Sequence, residues 1–182
     1  MILPIYTYGE PILRLKANDI SLNQKDIKKD IFKIHIPNML ETVHNANGAG
    51  LAAPQIGLNI KLIVVDQQIS DTEIFKGVFI NANILRYFGY ANVMDEGCLS
   101  LPKISAFIIR LSEIEVEWYD ENWKYHKEKF NGIKSRILQH EIDHTNGILF
   151  TDRIINKDIK LKLSSQLDDI KNKKIKVNYP VI

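Results

Sequence analysis

The sequence has little of what marks a secreted, membrane-bound or nucleic-acid-binding protein. It contains one cysteine, Cys98, so no disulfide can form within the chain. Lys and Arg number 24 against 22 Asp and Glu, and a net charge of +2 argues against a strong general affinity for nucleic acid. No apolar run approaches the roughly 20 residues that cross a bilayer. We therefore expect a cytoplasmic protein with no membrane contact and no sequence-specific nucleic-acid partner.

The N-terminus and the chain length agree with this expectation. Residues 1–6 carry no basic segment and are interrupted by Pro4, unlike a signal or transit peptide. The 182 residues suffice for one domain with a sizeable core. No repeat, low-complexity tract or long linker divides them. We predict a single domain over residues 1–182, ending in a Lys-rich helix and tail over residues 157–182.

The most informative pattern that is present is a pair of histidines four residues apart, in the segment His140-Glu141-Ile142-Asp143-His144. On a helix, residues i and i+4 lie on one face, so both imidazoles can bind a single metal ion. Glu141 then lies where it can take a proton from a metal-activated water. This HExxH pattern predicts hydrolysis, but it leaves the third metal ligand and the substrate open.

Helices are predicted at the motif and towards both ends of the chain. Apolar residues have helical spacing over residues 26–47, and Pro37 should kink or split this N-terminal helix. Asn131-Gly132 should open the helix that carries the histidines, and Gly147 should end it. After Asp152, a C-terminal amphipathic helix has an apolar face formed by Ile159, Leu163, Leu167 and Ile170.

Strands are predicted between these helices. Residues 61–66, 78–84, 113–118 and 123–130 are either continuously apolar or alternate between apolar and polar. The last two segments are joined by a turn at residues 120–122. Strands grouped apart from helices favour antiparallel pairing. We predict an α+β fold in which antiparallel β-sheets pack around a central metal-binding helix, with an N-terminal helix and a C-terminal amphipathic helix.

Cys98 is a candidate for the third metal ligand. It lies in the turn-like segment DEGCLSLP, and one thiolate with two imidazoles leaves a fourth metal position open for water. Alternatively, Cys98 is a small buried hydrophobic residue, as most free cysteines are. The other three histidines form no second ligand cluster and fit ordinary surface or core imidazoles better: His35, His44 and His126.

A glycine-rich segment, GAGLAAPQIG at residues 48–57, follows the predicted N-terminal helix. Its glycine spacing approximates a dinucleotide-binding fingerprint. That fingerprint must follow a strand and open a helix, whereas this segment follows a helix and contains Pro54. Glycines that let the backbone approach a ligand, followed by the amide of Gln55, fit the wall of a polar binding site better.

Together the three segments resemble the motifs of the peptide deformylases. That family's motifs GxGLAAPQ, EGCLS and HExDH match residues 48–55, 96–100 and 140–144, in the same order and with similar spacing. The resemblance extends over nearly the whole chain, from residues 8–14 to residues 149–154. A joint match of three long motifs is very improbable by chance, so the resemblance is specific.

The resemblance implies removal of the formyl group from the N-terminal formylmethionine of nascent bacterial polypeptides. It also implies a metal bound by Cys98, His140 and His144, usually Fe²⁺ in the cell and often Zn²⁺, Ni²⁺ or Co²⁺ in purified protein. In the implied mechanism, metal-bound hydroxide attacks the formyl carbon while Glu141 acts as general base and then as general acid.

The resemblance implies further roles around this centre. The metal, the Gln55 side-chain amide and the Leu99 backbone N–H would hold the developing oxyanion, and a tight turn permitted by Gly97 would present that backbone donor. The residues implied in substrate binding are Gly48, Ala49, Gly50, Glu96, Gly97, Ile133 and Ile137. Backbone near Ala49 and Gly97 could bind the peptide as an added strand. Ala49, Ile133 and Ile137 are candidates for the methionine pocket, with ordinary packing as the alternative.

Some supporting positions match the family pattern and some depart from it. Glu96 and Arg110 correspond to positions that pair in the family, and Asp143 could orient a ligand imidazole or cap the local backbone. The departures are Thr145 where leucine is usual, Lys103 where glycine is common, and Ser105 where some members carry a basic residue. They bear on packing and on substrate affinity more than on the chemistry.

Three alternatives fit the sequence less well. A zincin-type endopeptidase needs a His or Glu ligand downstream of the helix, and no His or Glu follows His144. A metal-free relative acting as a binding module would lack at least one of the ligands, Glu141 or Gln55, and all are present. A structural zinc site usually has four protein ligands, and no fourth is evident.

The C-terminal region is locally basic. Its lysines are Lys157, Lys160, Lys162, Lys171, Lys173, Lys174 and Lys176, against the acids Asp158, Asp168 and Asp169. Because the implied substrate emerges from a ribosome, this region could make weak electrostatic contact with ribosomal RNA. The alternative is a solvated helix face without a partner.

Overall fold

The computed structural model describes residues 1–21 and 31–182, apart from the side chain of Phe32. The strands in these ranges are β1 (Gly50–Ala52), β2 (Leu62–Ser70), β3 (Glu73–Cys98), β4 (Leu101–Tyr119) and β5 (Tyr125–Asn131). The α-helices are α1 (Ile36–Asn45), α2 (Gly132–Thr145) and α3 (Lys157–Lys171). Short 3-10 turns lie at Pro11–Arg14, Ala53–Ile56 and Phe150–Arg153, and a π-helical turn lies at Ile31–His35.

The five strands form one antiparallel sheet in chain order. β3 and β4 form a long hairpin whose pairing shifts register at Ile80/Asn83, Ile84/Arg86 and Phe88/Ala91. Such irregularities bend a strand and increase its twist. Helix α2 contacts all five strands, with Leu138 and Ile142 packed in the same core cluster as Ile114 and Val116. The predicted α+β fold, with antiparallel strands around a central helix, is confirmed.

The structure describes only part of the segment predicted as the N-terminal helix. Residues 22–30 lie outside the described ranges, so the prediction for residues 26–30 has no structural outcome. The π-helical turn Ile31–His35 precedes α1, and Pro37 lies in the first turn of α1. A first-turn proline loses no intrahelical hydrogen bond. His35 has helical dihedral angles (φ −72°, ψ −48°), so the chain stays helical from residue 31 to residue 45 and changes from a π to an α turn beside Pro37. The helix is therefore not split at Pro37, and the predicted kink stays a prediction.

Helix α2 begins and ends where the sequence predicted. Gly147 has φ +73°, its N–H donates to the His144 carbonyl at 3.1 Å, and the Ile148 N–H donates to the Asp143 carbonyl at 3.0 Å. This is a Schellman cap, which satisfies carbonyls of the last turn. A Cβ at Gly147 would lie 2.6 Å from the Arg14 carbonyl oxygen, so this position requires glycine for space as well as for conformation.

The C-terminal region packs on the rest of the chain. Ile170 of α3 is buried in the core cluster that includes Leu101 and Phe150, and Leu163 and Leu167 pack against that cluster. The last residues then return to the N-terminal segment, where Val181 forms a parallel bridge with Ile5. No helix in the described part of the chain is long and apolar enough to cross a membrane.

Candidate active site

Helix α2 and the end of β3 bring the three predicted metal ligands together. His140 and His144 share one face of α2, and Cys98 is the last residue of β3. One ligand atom from each of the three residues lies within 4.8 Å of the others, and Cys98 Sγ is 3.1 Å from His144 Nε2. A turn at Leu99-Ser100 leads directly into β4. Gly97, expected to permit this turn, instead lies in the extended strand, because the chain reverses only after Cys98.

These donors fit one divalent transition metal. A thiolate sulfur and two imidazole nitrogens suit zinc or iron, and three protein ligands leave a coordination position for another group. His140 Nδ1 is 2.9 Å from Glu96 Oε2, so its Nε2 is left for a metal. A second partner of this kind fixes the orientation and the tautomer of a ligand imidazole.

Glu96 is the carboxylate that orients His140, and two arginines hold it in place. Its Oε1 accepts hydrogen bonds from Arg110 Nε at 2.6 Å and Arg136 Nη1 at 2.8 Å, and its Oε2 accepts from Arg110 Nη2 at 2.9 Å. The side chain is only 4% exposed. Burial alone would raise the pKa of Glu96, but hydrogen bonds from Arg110 and His140 outweigh it and hold the pKa well below its usual range. Glu96 is therefore ionised, and hydrogen bonds to both of its oxygens hold it beside the metal-ligand candidate His140.

The roles predicted for Asp143 are wrong. Its carboxylate neither orients a ligand imidazole nor caps the backbone; it accepts hydrogen bonds from Arg110 Nη1 at 2.7 Å and from Arg153. Arg110 lies on β4 and Arg153 ends the Phe150–Arg153 turn, so the Asp143 side chain faces these two elements. The ion pair between Glu96 and Arg110 is confirmed, and the part of Arg136 and Arg153 in this network was not predicted.

Glu141 is a buried carboxyl with one unbonded oxygen. Its Oε2 is inaccessible to solvent and has no hydrogen-bond partner among the described residues. Burial raises the pKa of Glu141 to about 7; His140 opposes this rise and the charge of Glu96 adds to it. A buried, unpaired carboxyl is unfavourable for stability. A carboxyl with a raised pKa in a cavity is typical of a group that exchanges protons during catalysis.

Gln55 and Leu99 lie next to the ligand set. Gln55 Oε1 accepts a hydrogen bond from the Ala52 N–H at 2.8 Å, so its amide nitrogen faces Cys98 Sγ at 3.6 Å and Ser100 Oγ at 3.2 Å. The Leu99 carbonyl accepts a hydrogen bond from the Tyr179 hydroxyl at 2.9 Å. Burial raises the pKa of Tyr179 to about 12, with the Cys98 charge as a second cause, so this phenol remains a donor at neutral pH.

A cavity of about 430 Å³ opens beside these groups. The residues predicted for substrate contact all line it: Gly48, Ala49, Gly50, Glu96, Gly97, Ile133 and Ile137. The Glu96 carboxylate is already hydrogen-bonded to Arg110, Arg136 and His140, so contact between Glu96 and a substrate stays a prediction. Lys103 also lines the cavity and has φ +64°, a conformation that favours the glycine usual there. Tyr179 is a lining residue that the sequence did not indicate.

The other positions noted in the sequence supply no ligand atom to the proposed metal site. Thr145 is buried and its hydroxyl donates to the Ile142 carbonyl at 2.8 Å, so its polar group is satisfied within the helix. Ser105 is exposed and pairs with Gly97 across the β3–β4 hairpin. His126 stacks on Trp118 and lies 2.7 Å from Asp120 Oδ2, which is an ordinary structural contact.

The fold and this set of groups define a metal-dependent hydrolase. The family model described as polypeptide deformylase matches residues 2–160. A peptide deformylase of Christiangramia forsetii is 39% identical over 193 residues, covering 98% of this chain and 94% of that protein. One of Chlorobium luteolum is 42% identical over 183 residues, covering 100% of this chain and 93% of that protein. The chain belongs to the polypeptide deformylase family.

A solved structure agrees with this assignment. The crystal structure of a peptide deformylase from Synechococcus elongatus, in complex with actinonin, matches with a TM-score of 0.77 and 35% sequence identity. The match covers 94% of this chain and 87% of that one. The resemblance expected from the three sequence motifs is therefore confirmed over nearly the full length.

Proposed function

We propose that this protein removes the formyl group from the N-terminal formylmethionine of nascent bacterial polypeptides and releases formate. The observation that carries the proposal is the position of Glu141, a buried carboxyl with an unbonded oxygen at the wall of the cavity that holds Cys98, His140 and Gln55. Membership of the deformylase family supports the reaction. We place the reaction in the bacterial cytoplasm, where formylated nascent chains are made.

We propose that Cys98, His140 and His144 hold one divalent metal, Fe²⁺ in the cell, for which Zn²⁺, Ni²⁺ or Co²⁺ can substitute. The mixed sulfur and imidazole donor set supports this choice. When bound, the metal supplies a positive charge that activates water and polarises the formyl oxygen. Glu96 keeps the His140 ring in the orientation that such binding needs.

The side chains of this protein perform the proton transfers and hold the substrate. Glu141 accepts a proton from the attacking water and donates it to the leaving amine, a task suited to a pKa near 7. The Gln55 Nε2 and the Leu99 N–H donate to the formyl oxygen as its negative charge develops. Ala49, Ile133 and Ile137 form the wall for the methionine side chain.

The test is formate release from a formyl-Met tripeptide by iron-loaded protein under argon. Glu141→Gln should lower kcat by about 10²- to 10⁴-fold, with folding and metal content unchanged. Cys98→Ala should lose both metal and activity. His44→Ala, an exposed histidine on α1, is the matched control and should behave as wild type. No release by wild type, or undiminished release by Glu141→Gln, would refute the proposal.

A further inference from the structure

Tyr179 links the C-terminal segment to the turn that carries one of the proposed oxyanion donors. Its hydroxyl donates to the Leu99 carbonyl at 2.9 Å, across 80 residues of sequence. Its ring lies in the cavity wall and packs, with Leu99, against the core cluster that includes Val43 and Leu51. The Tyr179 side chain therefore contacts both the cavity and the backbone of Leu99, which lines the same cavity.

The position of Tyr179 is fixed by the residues that follow it. The Pro180 carbonyl accepts from the Ile5 N–H at 2.9 Å, and the Ile182 N–H donates to the Ile5 carbonyl at 2.9 Å. The Ile182 carbonyl in turn accepts from the backbone and the hydroxyl of Thr7, at 3.2 and 2.8 Å. Tyr179 is thus attached to a segment with its own backbone pairing and is not a free tail residue.

The N-terminal segment that pairs with these residues also holds both donor loops. The Tyr6 N–H donates to the Gln55 carbonyl at 2.8 Å, and the Tyr8 N–H donates to the Ser100 carbonyl at 2.8 Å. Gln55 and the Leu99-Ser100 turn are therefore fixed to one strand-like segment. Tyr179 adds a direct bond to the residue between Cys98 and Ser100.

We propose that Tyr179 is a positioning residue for deformylation, which holds the Leu99 turn so that its N–H points at the developing oxyanion. The inference rests on the proposed function. The carbonyl and the N–H of Leu99 belong to adjacent peptide planes that meet at its Cα, so anchoring the carbonyl limits rotation of the N–H. A donor fixed before the reaction contributes more than one that must reorient during it.

Two variants distinguish the contribution of the Tyr179 hydroxyl from that of its ring. Tyr179→Phe keeps the ring and removes only the bond to Leu99, so we expect kcat to fall by about tenfold, with KM within about twofold of wild type. Tyr179→Leu also opens the cavity wall, so KM should rise in addition. Tyr125→Phe is the matched control, because its hydroxyl bonds Glu117 on the exposed face of β4 and β5.

A second readout does not depend on activity. In ¹⁵N–¹H spectra of zinc-loaded protein, the Leu99 and Ser100 amide signals should shift in Tyr179→Phe and stay in place in Tyr125→Phe. Unchanged kcat and unchanged signals in Tyr179→Phe would overturn the proposal, and so would a loss of folding or thermal stability without a change in kcat. If wild type releases no formate, the proposed function fails, while the amide signals still decide whether Tyr179 fixes the turn.

Discussion

Gly50 leaves little room for a side chain beside Glu141. A Cβ at this position would lie 3.0 Å from both the Cγ and the Oε1 of Glu141. Gly50 is the first residue of β1 and does not have a positive φ, so its requirement is for space and not for an unusual conformation. The backbone of β1 therefore forms the wall against which the carboxyl of α2 is placed.

Gly50→Ala should lower kcat more than it raises KM. The new methyl group must displace the Glu141 carboxyl by a few tenths of an ångström. Because a misplacement of about 1 Å costs about 10²-fold in rate, we expect a smaller loss, of about tenfold. Steady-state kinetics with a formyl-Met peptide measure the change. Gly97→Ala is the comparison: its methyl group would lie 3.7 Å from the nearest protein atom, so any loss should be in KM. Equal kcat for Gly50→Ala and wild type would contradict this account.

Glu96→Gln should destabilise the protein strongly. The substitution keeps the shape but removes the counter-charge of Arg136 and leaves Arg110 paired with Asp143 alone. Removing one partner of a buried ion pair costs about 3–5 kcal/mol in comparable cases. Urea unfolding of zinc-loaded protein measures the loss. Asp66→Asn removes a carboxylate from the more exposed pair with Lys76 and should cost less than about 1 kcal/mol. Similar losses in the two variants would show that the Glu96 network adds no more to stability than an exposed ion pair.

The metal-free protein should lose stability as pH rises from about 4.5 to about 7, in part through Glu141. The raised pKa means that the folded state binds this proton more tightly than the unfolded chain. The contribution is therefore fully present below the ordinary pKa and is lost as pH rises through about 7, a difference of about 3 kcal/mol. Urea unfolding of chelated wild type and Glu141→Gln at pH 5 and pH 8 isolates it. The free energy of unfolding of wild type should fall more steeply with pH than that of the variant. An equal fall in the two proteins would contradict a contribution from Glu141.

Contact with the ribosome stays a prediction, and the structure shows how to test it. Deleting residues 157–182 would also remove Ile170 from the core and Tyr179 from the cavity, so charge reversal is cleaner. If the contact exists, Glu at the exposed residues Lys157, Lys162 and Lys173 should reduce ribosome co-sedimentation at low salt, with formate release unchanged. Glu at the exposed residues Lys16, Lys124 and Lys129 is the charge-matched control. Equal sedimentation of both variants and wild type would exclude the contact.

The parts of the site that were predictable are those encoded in short stretches of sequence. His140 and His144 are one helical turn apart, so their shared face follows from spacing alone. Cys98 and Gln55 lie in motifs long enough to be matched as units. The partners of these residues come from distant parts of the chain: Glu96 is 44 residues from His140, and Tyr179 is 80 residues from Leu99. No local pattern indicates such pairs, because only the folded sheet brings them together.

The strand boundaries show the same limit. The predictions at 78–84 and 113–118 fall inside β3 and β4, but both strands are far longer. Register shifts interrupt the alternation that marks a strand in sequence, and apolar residues such as Tyr90 and Phe107 are exposed on the hairpin. Pairing with the neighbouring strand, more than residue pattern, keeps this part of the chain extended.

Near the end of β3, buried and exposed residues alternate, and this alternation restricts how many residues the stretch can contain. From residue 91 to 98, Asn92, Met94, Glu96 and Cys98 are at least partly buried, and Ala91, Val93, Asp95 and Gly97 are exposed. Removing or adding one residue between Ala91 and Asp95 would exchange the two faces and turn Glu96 away from α2. Only changes by an even number of residues keep the support on the side of His140. Evolution can therefore vary Ala91 and Val93, which line no part of the cavity, more freely than Asp95 and Gly97, which do, but it can alter the number of residues only in pairs.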